Sequence, residues 1–166
     1  MEADALYAAI VAQARDARFY FDYGVPDSLD GRFEMIVLHC YLVLRRLRGA
    51  GAEAAHMAQA LVDSLFLDMD ANLREMGAGD LGVGKRVKRM ASGFYGRVAA
   101  YERSQAAGDL KDALRRNLFG TVSPDPPELE GMEAYLFVAG STLAAQPLAE
   151  ILAGCPNFGA IELPVR

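Results

Sequence analysis

The sequence predicts an all-α fold: a single compact multi-helix domain of about six or seven helices over residues 1–166, with an irregular C-terminal tail. Three observations predict it. Apolar residues recur at helical spacing along nearly the whole chain, as in Met57, Leu61, Leu65, Met69, Leu73 and Met76. The alternating pattern of a half-buried strand is nearly absent. Hydrophobic residues make up 52% of the 166, enough to build a core without metals or disulfides.

The elements follow in order. From about Asp4 to Tyr20, Leu6, Ile10, Ala14 and Ala17 share one face, widened by Tyr7 and Val11. Gly24, Pro26 and Asp27 then break the chain. A second helix is expected from Leu29 to Arg48, with Asp27, Ser28 or Asp30 as its cap. Its middle, MIVLHCYLVL, is apolar on almost every side. The run is too short to cross a bilayer, so it reads as the central buried helix. A third helix is expected over Glu53–Met76 and a fourth over Gly84–Ala106. In the fourth, Val83, Val87, Met90, Phe94, Val98 and Tyr101 form the core stripe. Gly93 and Gly96 lie near it and predict the close approach of another backbone, since glycine inside a helix costs about 1 kcal/mol against alanine. GDLKDALRRNLFG reads as a fifth helix capped by Asp109. TVSPDPPELEG is a proline-rich loop. A sixth helix follows from LEGMEAYLFVAGSTLAAQ, and a short seventh starts at Pro147 and ends near Gly154.

The formal net charge of −5 argues against DNA binding over the whole surface and leaves room for a local basic patch. Two isolated cysteines, Cys40 and Cys155, make no disulfide framework and fit a reducing compartment. The N-terminal segment carries Glu2 and Asp4 and does not read as a signal peptide. The expected location is cytoplasmic.

The stretch GAGDLGVGKR outlines two nucleotide motifs, Gly-x-Gly-x-x-Gly from Gly77 and Gly-x-x-x-x-Gly-Lys from Gly79. A P-loop needs Ser or Thr after the lysine to ligate magnesium, and Arg86 stands there. Both motifs also need a preceding strand, and a helix feeds this one. The expectation is that Gly77 ends a helix in the left-handed conformation and Gly79–Gly84 form a turn. DMDAN starts a calcium-loop pattern at Asp68, Asp70 and Asn72, which fails at Leu73 and Gly79. His39 and His56 lack metal-ligand spacing. No catalytic residue, metal site or cofactor is predicted, and the chain is expected not to be an enzyme.

The densest charge lies between residues 68 and 97. Asp68, Asp70, Glu75 and Asp80 precede Lys85, Arg86, Lys88 and Arg89, with Arg97 beyond. Cations at a helix start oppose the helix dipole and call for compensation, from those acids or from an anionic partner. With Met76, Leu81 and Val83 supplying apolar grip, these twelve residues form the candidate partner-binding surface. The apolar C-terminal helices around Tyr135, Leu136 and Phe137 are the alternative.

The segments FYFDYGVPDSLDGRFEMIVLHCYLVLRRL and LFLDMDANLREMGAGDLGVGKRVKRMASGFYGRVAAY resemble the ubiquinol–cytochrome c reductase assembly chaperones of mitochondria and α-proteobacteria. The resemblance runs from about Tyr7 to Tyr101 and more weakly beyond. It implies an all-helical, non-enzymatic chaperone that holds newly made cytochrome b, with a glycine-rich loop that binds no nucleotide. Mitochondrial members also work with a small helper protein at the ribosomal tunnel exit. The start of the chain resembles a bacterial member, for which helper and ribosome are open partners. A second reading is a docking module for an anionic surface, ribosomal RNA or membrane headgroups.

Overall fold

The computed structural model describes residues 1–77 and 79–165, and at positions 80, 81, 83 and 87 the backbone alone. The described residues form eight α-helices and no strand: α1 Glu2–Ala14, α2 Ala17–Phe21, α3 Leu29–Leu47, α4 Ala52–Glu75, α5 Asp80–Ala107, α6 Leu110–Arg116, α7 Pro126–Ala145 and α8 Leu148–Leu152. Among them, no helix is long and apolar enough to cross a membrane.

The apolar run MIVLHCYLVL makes α3 the axis of the molecule. Met35, Val37, Leu38, His39, Cys40, Tyr41, Leu42 and Val43 are all buried, so the helix is covered on most sides. It packs against α1, α4, α5 and α7. Ser28 caps it by accepting the Gly31 N–H at 3.1 Å. The turn before it is tight: a Cβ at Gly31 would collide with the carbonyl oxygen of Pro26. Burial pushes the Cys40 thiol up to about 12, which keeps it an inert apolar side chain.

The expected first helix is divided in two. Asp16 takes the Arg18 N–H at 3.0 Å and pairs with the Arg18 guanidinium through both carboxylate oxygens, at 2.9 and 2.8 Å. That local bonding starts a new helix in place of continuing the old one. Tyr20 Oη closes the corner by donating to the Ala14 carbonyl at 2.9 Å. The split accounts for the eighth element.

Two other details differ from expectation. The fourth expected helix starts at Asp80 and not at Gly84, so Gly82 and Gly84 are helical and not part of a turn. The sixth starts at Pro126, three residues early, because Pro126 and Pro127 suit the first turn and Glu128 accepts the Asp125 N–H at 2.9 Å. Gly77 does end α4 with φ +84°, as its position suggested.

The tail is irregular yet held down. Phe158 and Ile161 are buried, Arg18 Nη1 donates to the Ile161 carbonyl at 3.1 Å, and Tyr23 Oη donates to the carbonyl of Glu162. Gln146 secures the segment after α8 by donating to the Cys155 carbonyl at 2.7 Å and accepting the Asn157 N–H at 2.9 Å.

Candidate partner-binding site

Two polar connections set how the outer helices sit on α3. The first is centred on the buried His39. His39 Nδ1 donates to the Met35 carbonyl at 2.7 Å, which leaves Nε2 to accept the Tyr135 hydroxyl at 2.7 Å. Tyr135 Oη in turn accepts from Gln13 Nε2 at 3.1 Å. One chain of hydrogen bonds thus ties α1, α3 and α7. The rings of Phe19 and Phe158 lie 5.6 and 5.1 Å from the imidazole. Burial holds His39 near 4, well below its ordinary value, so the ring is neutral. Both ring nitrogens are occupied, and His39 is a packed core residue.

The second joins α5 to α3. Arg97 Nε donates to Glu34 Oε1, and the guanidinium also lies 5.7 Å from the Phe33 ring centroid. Glu34 is 5% exposed. Burial pushes its carboxyl up to about 7, against the opposing pull of Arg97. Its other oxygen and the hydroxyls of Tyr41 and Tyr101 are buried without a partner among the described residues.

The twelve candidate residues separate against this frame. Asp68 accepts the Tyr7 hydroxyl at 2.6 Å and joins α4 to α1. Asp70 pairs with Arg74 one turn later, at 2.9 Å. Arg97 is turned inward to Glu34. Asp68 and Arg97 thus connect elements of the fold, and Asp70 forms an exposed pair within α4. Glu75, Met76, Lys85, Arg86, Lys88 and Arg89 are exposed on the hairpin of α4 and α5. No described carboxylate pairs with any of the four cations. The side chains of Asp80, Leu81 and Val83 lie outside the described set. Because α5 begins at Asp80, an acid occupies its first turn and the cations start in the second, so the expected conflict with the helix dipole largely disappears.

The glycines raise a separate point. A Cβ on Gly82, Gly84 or Gly96 would meet no described atom within 4 Å, and none of the three has a positive φ. The close approach expected at Gly96 is therefore not made among the described residues. At Gly93 the near neighbour is the flexible Arg97 side chain.

A second surface lies on α7. This helix is apolar on its inner face and mixed on its outer one, where Glu130 and Ser141 are exposed. Its inner face buries Leu129, Met132, Tyr135, Leu136, Ala139 and Leu143. Its outer face exposes Phe137, at 71%, and Val138, at 43%. Clefts of about 510 Å³ lie on both sides of Phe137. One is floored by Leu42 and Leu136 and edged by Arg45 and Arg46; the other runs past Leu110 and Ala134 and is edged by Glu130 and Glu133; Gln105 borders both. Arg46 is fixed there by donating to the carbonyls of Leu143 and Gln146, at 2.8 and 3.1 Å. Of the alternative trio, Tyr135 and Leu136 are core and only Phe137 faces out. Glu130 and Ser141 share this outer side with Phe137 and Val138, so periodicity alone does not mark it as a docking face.

Among known proteins, the family described as ubiquinol-cytochrome C chaperone matches residues 21–158. The chain is similar to ubiquinol-cytochrome c reductase complex assembly factor 1 of Mus musculus, with 25% identity over 133 residues, 79% of this chain and 45% of the mouse protein. The corresponding assembly factor of Xenopus laevis is 26% identical over 133 residues, 79% of this chain and 66% of the frog protein. The chain therefore spans about half to two thirds of the length of these relatives. Its fold is similar to the crystal structure of the Cbp3 homolog from Brucella abortus, with 37% identity and a TM-score of 0.85 over 96% of this chain and 90% of that one. With a match that runs from the end of α2 into the tail, this chain belongs to the ubiquinol-cytochrome C chaperone family.

Proposed function

We propose that this chain is a non-enzymatic chaperone that holds cytochrome b while ubiquinol–cytochrome c reductase is assembled. The observation that supports this reading is the outer face of α7. A membrane-embedded client presents apolar helices that need cover before insertion. Phe137 and Val138, with a cleft on either side, offer an apolar ridge and two recesses for such a segment. Arg45 and Arg46 border one recess, where they can meet polar groups at the end of an apolar client segment. The exposed part of the original candidate surface, Glu75, Met76, Lys85, Arg86, Lys88 and Arg89, belongs in this account to a second contact.

The test is Phe137→Asp, an exposed position where a charge leaves the fold intact. Cells carrying it are expected to accumulate normal amounts of the chaperone, to lose its co-purification with cytochrome b, and to contain less assembled reductase. Normal co-purification and normal reductase would refute α7 as the client site.

A further inference from the structure

We propose that the outward face of α5 docks this chain onto an anionic phospholipid surface. At 100° per residue, Gly82, Lys85, Lys88, Arg89, Ser92, Gly96, Ala99 and Arg103 fall on one side of the helix, and all eight are exposed. Arg86 stands at its edge. Lys85 and Arg103 are about 27 Å apart along a straight helix, so the cations mark out a long ridge and not a point. None of the five pairs with a described carboxylate, although the chain as a whole is acidic, at −5.

Between the cations the ridge carries only small residues. Gly82 and Gly96 weaken the helix, and no described atom occupies the space their missing side chains leave. What they provide is a low profile, which lets flanking cations and backbone come close to a flat layer of phosphates. A straight ridge suits a plane along its whole length.

The apolar neighbours favour lipid over the phosphates of a nucleic acid. Leu67, Met76 and Tyr95 are exposed on the same hairpin, at 72%, 59% and 54%. Nucleic acid would neutralise the cations and leave Leu67 and Met76 in water. A headgroup layer receives both kinds of group, cations at phosphate level and apolar or aromatic side chains just below. The long lysine and arginine stems can stretch to accommodate that depth. Docking by this face leaves Phe137 on α7 open to the client, the two surfaces meeting only near Gln105 at the end of α5.

The test is flotation of the full chain with vesicles of phosphatidylcholine, with or without phosphatidylglycerol. Binding is expected with phosphatidylglycerol only, and it should weaken as salt rises. The combined variant Lys85→Glu, Lys88→Glu, Arg89→Glu should keep its helical circular dichroism and bind roughly a hundredfold more weakly. A second readout avoids any folding defect. In a Cys155→Ser background, an environment-sensitive dye at Ser92→Cys should shift to the blue on anionic vesicles, and a dye at Glu53→Cys should not. Equal binding to neutral vesicles, undiminished binding by the charge-reversed chain, an unshifted dye at position 92, or binding to ribosomal RNA without binding to vesicles would each overturn the proposal.

Discussion

Tyr135 donates its hydroxyl to Nε2 of His39 across the α3–α7 contact, 2.7 Å away, at the centre of the molecule. The bond fixes the imidazole tautomer and sets the rotation of α7, so Tyr135 and Leu136 point inward and Phe137 outward. Removing it leaves a buried acceptor on His39 and a donor on Gln13 without their partner. Tyr135→Phe is therefore expected to cost about 1–3 kcal/mol in chemical denaturation. Tyr101 provides the control: its hydroxyl is buried with no described partner. Tyr101→Phe should leave stability unchanged or raise it. Equal losses at the two positions would contradict this account of the hydrogen bonds.

The pH dependence should contain two opposing parts. Glu34 has its folded carboxyl raised from the ordinary 4.5 to about 7. Its contribution to stability is full below pH 4.5 and is lost as pH rises to 7. His39 is lowered from 6.5 to about 4, so its contribution is full above pH 6.5 and is lost as pH falls to 4. Over the shared range the two offset each other, each on the order of 3 kcal/mol. Glu34→Gln removes one of them. Its stability should fall more steeply than that of the parent chain as pH drops from 6.5 to 4.5. Parallel profiles for the two chains would show that Glu34 does not titrate in this way.

The glycines should divide by what surrounds them. Gly82→Ala, Gly84→Ala and Gly96→Ala place a methyl group in open space on a helix, and each should stabilise by about 0.5–1 kcal/mol. Gly31→Ala forces a Cβ onto the Pro26 carbonyl and should be strongly destabilising. Thermal melts of the four single variants measure the difference. Losses at Gly82, Gly84 and Gly96 would mean that the fold does need those glycines.

How much could be read from the residues follows from the range of each signal. The burial of α3 was legible because an unbroken run from Met35 to Leu44 has only one way to escape water. The end of α4 at Gly77 was legible because its conformation is local. The break at Asp16 was not, since Ala14 and Ala17 continue the apolar face while a cap competes with it over two residues. The inward turn of Arg97 could not be read either. It depends on Glu34, 63 residues away, and a charge in a helix gives no sign of whether a distant partner is buried beneath it. For the same reason Asp68 and Arg97 sat beside Lys85 and Arg89 in one sequence pattern and serve different purposes in the fold. On α7, periodicity gave no clear face because large apolar residues lie on both sides, with Glu130 and Ser141 beside Phe137 on the outer one; packing alone separates Leu136 from Phe137.

The central claim is that α7 receives an apolar segment of cytochrome b, and site-specific photo-crosslinking in cells that make cytochrome b tests it most directly. A photoreactive residue in place of Phe137 should capture cytochrome b. The same residue in place of Glu53, which is exposed at the start of α4, should not. Capture at Glu53 with none at Phe137 would contradict the account and move the client to another face of the chain.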